Sequence, residues 1–397
     1  MAKMTCYEDL MYRGLIKDRT NNEDFEKKLN EGGMTFYWGT DPTADSLHIG
    51  HYSSLLTAKR LKKYGHHPIL LVGGATALIG DPRPTAEREI IDKKVVESNI
   101  EGIKKQVLDL FDNDVEVVNN YDWIKDFTFI DFLRDVGKYI NVNYMLNKDI
   151  ISRRLETGIT YAEFSYTLLQ GYDFVHLFKE KNCIMQAAGS DQWGNITTGV
   201  ELIGKMLGKE AYAFTMPLIL DANGNKFGKS EGNALWLNKD KTPSYDIYQY
   251  LINSSDTKVE EYLKVFTFLT KEEIEDLMAK HMEKPELRLA QKTLAYEFIK
   301  DLHGEEEANA AKAKSEALFG GSTEDLEATE IHAESRNILD IMLAAELIPS
   351  KSEGRRLVEQ GGVSVDNEKI LDPKAEVTKD EFVLQKGKKK IVKIKLV

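Results

Sequence analysis

The spacing of apolar positions changes several times along this chain, and each change marks an element. Met34–Gly39 is a short apolar run closed by a glycine, the pattern of a strand that ends in a turn. Between Ser46 and Tyr64 the residues Leu47, Leu55, Leu56 and Leu61 share the apolar side of a helix, and Gly65 follows as a stop. Pro68–Gly74 is almost continuously apolar, as in a strand covered on both faces. Ala86–Phe111 returns to a charged, helical pattern. Val115–Val118 and Ile184–Ala188 read as further strands, and a helix begins near Ser190, whose hydroxyl is placed to cap it. This alternation predicts a doubly wound α/β domain over residues 1–232, with a parallel sheet and ligands at the C-terminal ends of its strands.

Past Gly232 the strand pattern disappears. Residues 233–319 read as amphipathic helices, ending in the Ala/Lys/Glu-rich stretch Glu305–Leu318. Gly320-Gly321-Ser322-Thr323 and the acids after it suggest a linker over 320–330. Residues 331–397 show two short helical patterns and then alternating strands, a small α+β domain. A chain of 397 residues with 42% hydrophobic and 30% charged positions can bury two or three such cores. Cys6 and Cys183 lie far apart without metal-ligand spacing, which fits a reducing compartment. The N-terminal residues form no apolar run, and Pro68–Gly80 is too short to span a bilayer. The expectation is a cytoplasmic protein.

Charge adds a further division. The net charge of −12 excludes binding of nucleic acid over the whole surface. Yet Lys351–Val397 holds twelve Lys/Arg against eight Asp/Glu, so this tail is +4 and the remainder −16. A basic module on an acidic body suits a polyanion; a strand edge guarded by lysines is the other reading.

Several segments carry candidate chemistry. Asp41 to His51 joins the first strand to a helix, so free backbone N–H groups face whatever lies above the strand end. His48 and His51 share one side of the first turns, and Gly50 leaves room for a flat ring. Two imidazole donors there suit negative charge developing on a phosphate; the same pair suits capping or metal binding. Lys226-Phe227-Gly228-Lys229-Ser230 sits among glycines, and two lysines three apart can close over a triphosphate, although the stretch alone also fits a solvated hairpin. Tyr166, Gln170 and Asp173 fall at i, i+4 and i+7, a polar stripe among Phe164, Leu168, Leu169, Phe174 and Val175. Such a stripe is either an exposed face or a pocket lining. The glycines of Leu71–Pro82 lack the Gly-x-Gly-x-x-Gly spacing of a dinucleotide loop.

His48-Ile49-Gly50-His51 after a strand, with Lys226 to Ser230 about 175 residues later, resembles the two ATP motifs of class I aminoacyl-tRNA synthetases. Glu163–Tyr166 and Tyr172–Phe174 resemble their tyrosine-specific, bacterial-type branch, and Leu339–Leu347 with Ser350–Asp366 resembles the S4 RNA-binding domain. The resemblance runs from about Tyr37 to Val397. It implies a Rossmann-type catalytic domain, a helical tRNA domain and an S4-like domain. It makes His48, His51, Lys226 and Lys229 catalytic, and lines a tyrosine site with Tyr37, Thr76, Asp81, Asn120, Tyr166, Gln170, Asp173 and Gln192. ATP would meet Gly39, Asp41, Thr43, Gly50, Gly189, Asp191 and Ser230 besides the histidines and lysines; RNA would meet Lys351, Arg355 and Arg356. ATP with Mg²⁺ is implied as substrate, with no resident metal or organic cofactor, and tRNA(Tyr) and a second copy of the chain as partners. A carboxylate that accepts from a phenol is left unsatisfied by phenylalanine, which is the physical basis of selection. Trp38, Thr40 and the loop Arg83–Arg88, which lacks a lysine, depart from the family pattern; Arg83 or Arg88 would serve the phosphates instead. The rival readings are a tryptophan-specific enzyme of the same architecture and a non-catalytic RNA-binding protein on the same scaffold.

Overall fold

The structure is a computed structural model that describes residues 4–82, 90–230, 233–319, 329–333, 335–366, 368–387 and 390–396. The chain divides into two compact units, residues 1–305 and 306–397.

The first unit is built on six strands: β1 (Asp18–Arg19), β2 (Thr35–Thr40), β3 (His67–Val72), β4 (Glu116–Asn119), β5 (Cys183–Gly189) and β6 (Tyr212–Met216). Their order is β1-β6-β5-β2-β3-β4, and every pairing except that of β1 with β6 is parallel. The chain winds from β2 outwards through β3 to β4, then returns to β5 on the other side of β2. A crevice therefore opens between the C-terminal ends of β2 and β5, where neighbouring connections leave in opposite directions. Tyr37 and Gln186 are paired across this switch point. The doubly wound architecture is as the pattern predicts, with an antiparallel edge added. At two residues, β1 is too short to show a period, and it is held by Asp18 against Thr215.

Local chemistry sets the element ends. The helix expected from Ser46 runs over Ile49–Lys63, because His48 is its N-cap and accepts from the Gly50 amide. The expected Ser190 cap is not made. Ser190–Gln192 is a 3-10 turn, and the helix Trp193–Leu207 starts after Gln192 without a side-chain cap. The helix Tyr161–Lys181 starts with a capping box between Thr160 and Glu163. Its neighbour Trp193–Leu207 lies close because glycines face it: a Cβ on Gly171 would stand 2.9 Å from Leu202 Cδ1, and one on Gly199 3.0 Å from Phe174 Cδ1.

Helices Ser244–Ile252, Asp256–Phe266, Lys271–Glu283 and Leu289–His303 belong to the same unit. Two buried guanidiniums tie them to the rest: Arg13 donates to the Lys264 and Leu269 carbonyls, each at 2.7 Å, and Arg60 to that of Val265 at 3.1 Å. These carbonyls end the 256–266 helix or follow it, where backbone acceptors otherwise lack donors. Tyr52 and Lys59, on the histidine helix, bond Asp301 at 2.5 and 2.7 Å.

The second unit carries a five-stranded sheet in the order 368–370, 363–365, 381–386, 390–396, 329–331, antiparallel except for the last pair. Helices Ile338–Ala344 and Lys351–Glu359 accompany it, and its core includes Ile338, Ile341, Met342, Val358, Leu384 and Ile394. Among the described residues no helix is long and apolar enough to cross a membrane.

Candidate active site

A cavity of about 490 Å³ occupies the crevice above β2 and β5. Its closed end is built on the 161–181 helix. Tyr166, Gln170 and Asp173 all face inward, so the polar stripe is a pocket lining and not a solvated face. Asp173 is 1% exposed; its carboxylate accepts from Asn120 Nδ2 at 3.0 Å and from Trp123 Nε1 at 2.9 Å. Burial raises its pKa to about 7, against the pull of those two donors. Tyr37, on β2, is 1% exposed, and its hydroxyl has no hydrogen-bond partner among the described residues; the same holds for Gln170 Oε1. Burial, with Asp173 nearby, holds the Tyr37 phenol well above its ordinary pKa, so it stays protonated. Unpaired buried polar atoms are costly, and here they face a cavity that a polar guest can fill.

Two further carboxylates converge on the same wall. Asp41 accepts from Thr76 Oγ1 at 2.7 Å and from the Tyr166 hydroxyl at 3.0 Å. Asp81 accepts from Gln192 Nε2 at 3.0 Å and Asn195 Nδ2 at 3.1 Å, and Thr167 in turn fixes Asn195 at 2.8 Å. Three carboxylates around one hollow suit a cationic group such as an ammonium. Asn120 is fully buried behind the wall and not on it: it receives the Ala75 amide at 2.7 Å and donates to Thr76 and Asp173. Gly73 permits this closeness, since a Cβ there would meet Asp41 Oδ1 at 2.1 Å.

The mouth of the cavity holds the histidine motif and the start of the lysine motif. His48 and His51 stack, with ring centroids 3.8 Å apart. The Gly50 amide donates to His48 Nδ1 at 3.1 Å, and the His48 amide to His51 Nδ1 at 3.4 Å. Each Nδ1 is thus an acceptor, which leaves Nε2 as the protonated nitrogen of the ring. Burial, reinforced by His48, lowers the His51 pKa to about 3, so this ring is a neutral donor. Capping and the chemical reading therefore coexist: Nδ1 serves the helix and leaves Nε2–H as donor. Gly50 is required here, because a Cβ would stand 2.8 Å from His48 Cε1.

Lys226 lines the same cavity, with Gly39, Thr43, Gly189 and Asp191. Gly228, at φ +88°, brings the lysine segment against Ile49 and Gly50. Lys229–Ser230 forms a short strand paired with Asn233–Ala234, and the side chains of both fall outside the described residues, as do Arg83 and Arg88. Trp38, 5% exposed, lines the wall beside Gly39. A wider groove of about 740 Å³, lined by Arg19, Asn22, Trp193 and Glu210 among others, holds none of the motif residues.

Sequence reasoning missed the part Trp123, Asn195, Gln186 and Trp236 play. Gln186, 2% exposed, was detectable as the one polar residue in the apolar run of β5. Trp123 and Asn195 depend on tertiary contacts that no spacing reveals.

In the second unit Lys351, Arg355 and Arg356 all lie on the 351–359 helix. Lys351 pairs with Asp340, and other cations of the unit pair with its own acids: Lys393 with Glu381 at 2.7 Å, Lys395 with Glu330 at 2.6 Å. Arg355 and Arg356 are exposed and have no ion-pair partner among the described residues.

Comparison with known proteins gives the same result for both units. Residues 29–320 match the family described as tRNA synthetases class I (W and Y), and residues 319–394 the Tyrosine--tRNA ligase SYY-like C-terminal domain. A C-terminally truncated mitochondrial tyrosyl-tRNA synthetase from Aspergillus nidulans is 32% identical, the match covering 80% of this chain and 95% of that one, with a TM-score of 0.71. Its counterpart from Coccidioides posadasii is also 32% identical, over 79% and 92%, at 0.70. The tyrosyl-tRNA synthetase from Archaeoglobus fulgidus shares the fold at 16% identity, over 78% and 100%, with a TM-score of 0.58. The two fungal relatives correct one expectation. Both are mitochondrial enzymes, so the cytoplasmic location read from the cysteines and N-terminal composition does not stand. Two buried free thiols fit any reducing compartment.

Proposed function

This chain belongs to the class I tRNA synthetases of the tryptophan and tyrosine family, with a tyrosine-ligase-like C-terminal domain, and from that premise we propose that it charges tRNA(Tyr) with L-tyrosine. One observation carries the choice of amino acid: the unpartnered Tyr37 hydroxyl and the Asp173 carboxyl share the closed end of a cavity whose mouth holds His48, His51 and Lys226. The substrate phenol donates to Asp173 and accepts from Tyr37. Its ammonium lies among Asp41, Asp81 and Gln170, with the Tyr166 hydroxyl and Gln192 fixing those carboxylates.

In the first step the tyrosine carboxylate attacks the α-phosphorus of ATP in line. A carboxyl-oxygen–phosphorus bond forms, the bridge to the β-phosphate breaks, and pyrophosphate leaves with the electron pair. His48 and His51 donate through Nε2–H to the oxygens that gain charge, while Lys226, and Lys229 by its motif position, neutralise the leaving group. Gly39, Thr43, Gly50, Gly189, Asp191 and Ser230 border the nucleotide, and Mg²⁺ accompanies the triphosphate. In the second step a ribose hydroxyl of the terminal adenosine attacks the acyl carbon and AMP departs. Arg355 and Arg356, with Lys351 beside them, form the RNA contact of an S4-like domain of the bacterial type. The active form is a homodimer. Phe129, Ile130, Leu133, Val142, Leu155 and Tyr161 are 38–67% exposed within one stretch of chain, apolar side chains that burial against a second copy would suit.

Pyrophosphate exchange measured with each of the twenty amino acids tests the reading. Exchange driven by tyrosine alone is expected. Exchange driven by tryptophan moves the protein to the other branch of the family, and exchange with none makes it a non-catalytic RNA-binding protein.

A further inference from the structure

The lysine motif and the histidine motif are joined by hydrogen bonds that neither motif predicts. Asn233–Ala234 pairs with the strand Lys229–Ser230, and residues 235–237 then bond the start of the histidine helix. The Ile49 amide donates to the Leu235 carbonyl at 2.9 Å, the Leu237 amide to the Leu47 carbonyl at 2.8 Å, and His48 bridges Trp236 in antiparallel fashion. On the other side of the same segment the Leu235 amide donates to the Gly228 carbonyl at 3.1 Å. Residues 233–237 thus run between the two motifs, bonded to both.

Side chains hold this arrangement at two points. Phe227 is 4% exposed and sits in an aromatic socket: it stacks on Phe266 at 4.6 Å and meets Tyr262 and Tyr250 edge-on at 4.9 and 5.4 Å. Phe227 is thereby fixed in place, and Lys226, the residue before it, lines the cavity. The next residue, Gly228, donates its amide to the Tyr250 hydroxyl at 3.0 Å. At the second point the Trp236 indole lines the cavity and stands edge-on to His48, centroids 6.3 Å apart. Lys241, paired with Asp45, places its Nζ 5.1 Å from the Trp236 ring centroid, and Thr242 Oγ1 accepts from the Trp236 amide at 2.9 Å.

We propose that Tyr250 and Trp236 are positioning residues that hold the lysine loop and the histidine pair in one register, Tyr250 through the Gly228 amide and Trp236 through His48. The inference rests on the reading of this cavity as an adenylate-forming site, but its physical core does not. Tyr250→Phe keeps the ring in the socket and leaves the Gly228 amide without its acceptor. Trp236→Ala removes the edge that faces His48, and Trp236→Phe restores an aromatic edge.

Two measurements on the full-length protein test this. Amide hydrogen exchange of the wild type and Tyr250→Phe should show Gly228 exchanging about fivefold faster in the variant, the factor of one neutral hydrogen bond, while Ala75 and Asn120 keep their protection. In pyrophosphate exchange, kcat should fall about fivefold in Tyr250→Phe and about tenfold in Trp236→Ala, with the KM for tyrosine unchanged and most of the loss regained in Trp236→Phe. Unaltered Gly228 exchange together with unaltered kcat overturns the proposal. So does a loss spread equally over kcat, the tyrosine KM and protection throughout the unit, which is the signature of general destabilisation. A wild type that exchanges pyrophosphate with no amino acid overturns the catalytic reading instead, and the amide measurement still decides the clamp.

Discussion

The closed end of the cavity and its mouth solve opposite problems. At the closed end the three carboxylates are already engaged: Asp173 by Asn120 and Trp123, Asp41 by Tyr166 and Thr76, Asp81 by Gln192 and Asn195. At the mouth Lys226 is exposed, and its backbone rests on Gly228 with φ +88°. A guest recognised by its hydroxyl must meet acceptors that cannot turn away, since selection comes from leaving them unsatisfied when the wrong guest enters. Charge on a departing pyrophosphate exists only during the reaction, so an exposed cation at the mouth can meet it without taking part in selection. Buried polar groups choose; exposed cations accelerate.

Substitutions at the two ends should therefore fail in different ways. The largest effect is expected at the mouth. Lys226→Ala should lower the rate of adenylate formation about 10²- to 10³-fold, the range found when one group that stabilises a transition state is removed. Tyrosine binding measured by equilibrium dialysis should stay unchanged. Asp173→Ala should do the reverse, weakening tyrosine binding about 10²-fold, as expected for one hydrogen bond to a charged group, and narrowing the preference over phenylalanine. Equal losses of affinity and rate in both variants would erase the distinction between the two ends.

The same division explains what could be read in the sequence. The histidine and lysine motifs are short and local, their family resemblance implied one nucleotide between them, and His48, His51 and Lys226 do line one cavity. The stripe Tyr166, Gln170, Asp173 was legible from helical spacing, but its choice between solvent and pocket was not. What decides it is Trp123 and Asn120, some fifty residues earlier, behind the wall. The Ser190 cap failed for a local reason: a 3-10 turn comes between the strand and its helix. β1 went unseen because two residues have no period, and β6, five buried residues in a row, shows no alternation to mark it as a strand.

A smaller effect sharpens the comparison through pH. Asp173 titrates near 7 because burial disfavours its charge. Below that value the free site holds a neutral carboxyl; above it, a carboxylate, which accepts the phenol hydrogen bond more strongly. Tyrosine affinity should therefore rise between pH 6 and 8, with release of a proton on binding near pH 7, and Asp173→Asn should show no such rise. His51, with a pKa of about 3, is neutral throughout this range and should contribute no step to the rate profile. Isothermal titration in two buffers of different ionisation enthalpy reads the proton directly.

Trp123→Phe is the mildest and most discriminating change. It keeps an aromatic ring against His176, on which Trp123 stacks at 4.3 Å, and removes only the Nε1–H that Asp173 accepts. That donor favours the carboxylate, so losing it must move the Asp173 pKa upward from about 7. At pH 7 more of the free site is then neutral, and tyrosine binding should weaken about two- to fivefold, the effect of a single hydrogen bond. Raising the pH to 8 should recover part of that loss, because deprotonation is delayed and not abolished. Lys226→Ala, by contrast, should leave the binding profile where it is. A Trp123→Phe profile that superimposes on the wild type at every pH would mean that the indole packs beside the carboxylate without setting its charge, and the wiring of the closed end would have to be assigned to Asn120 alone.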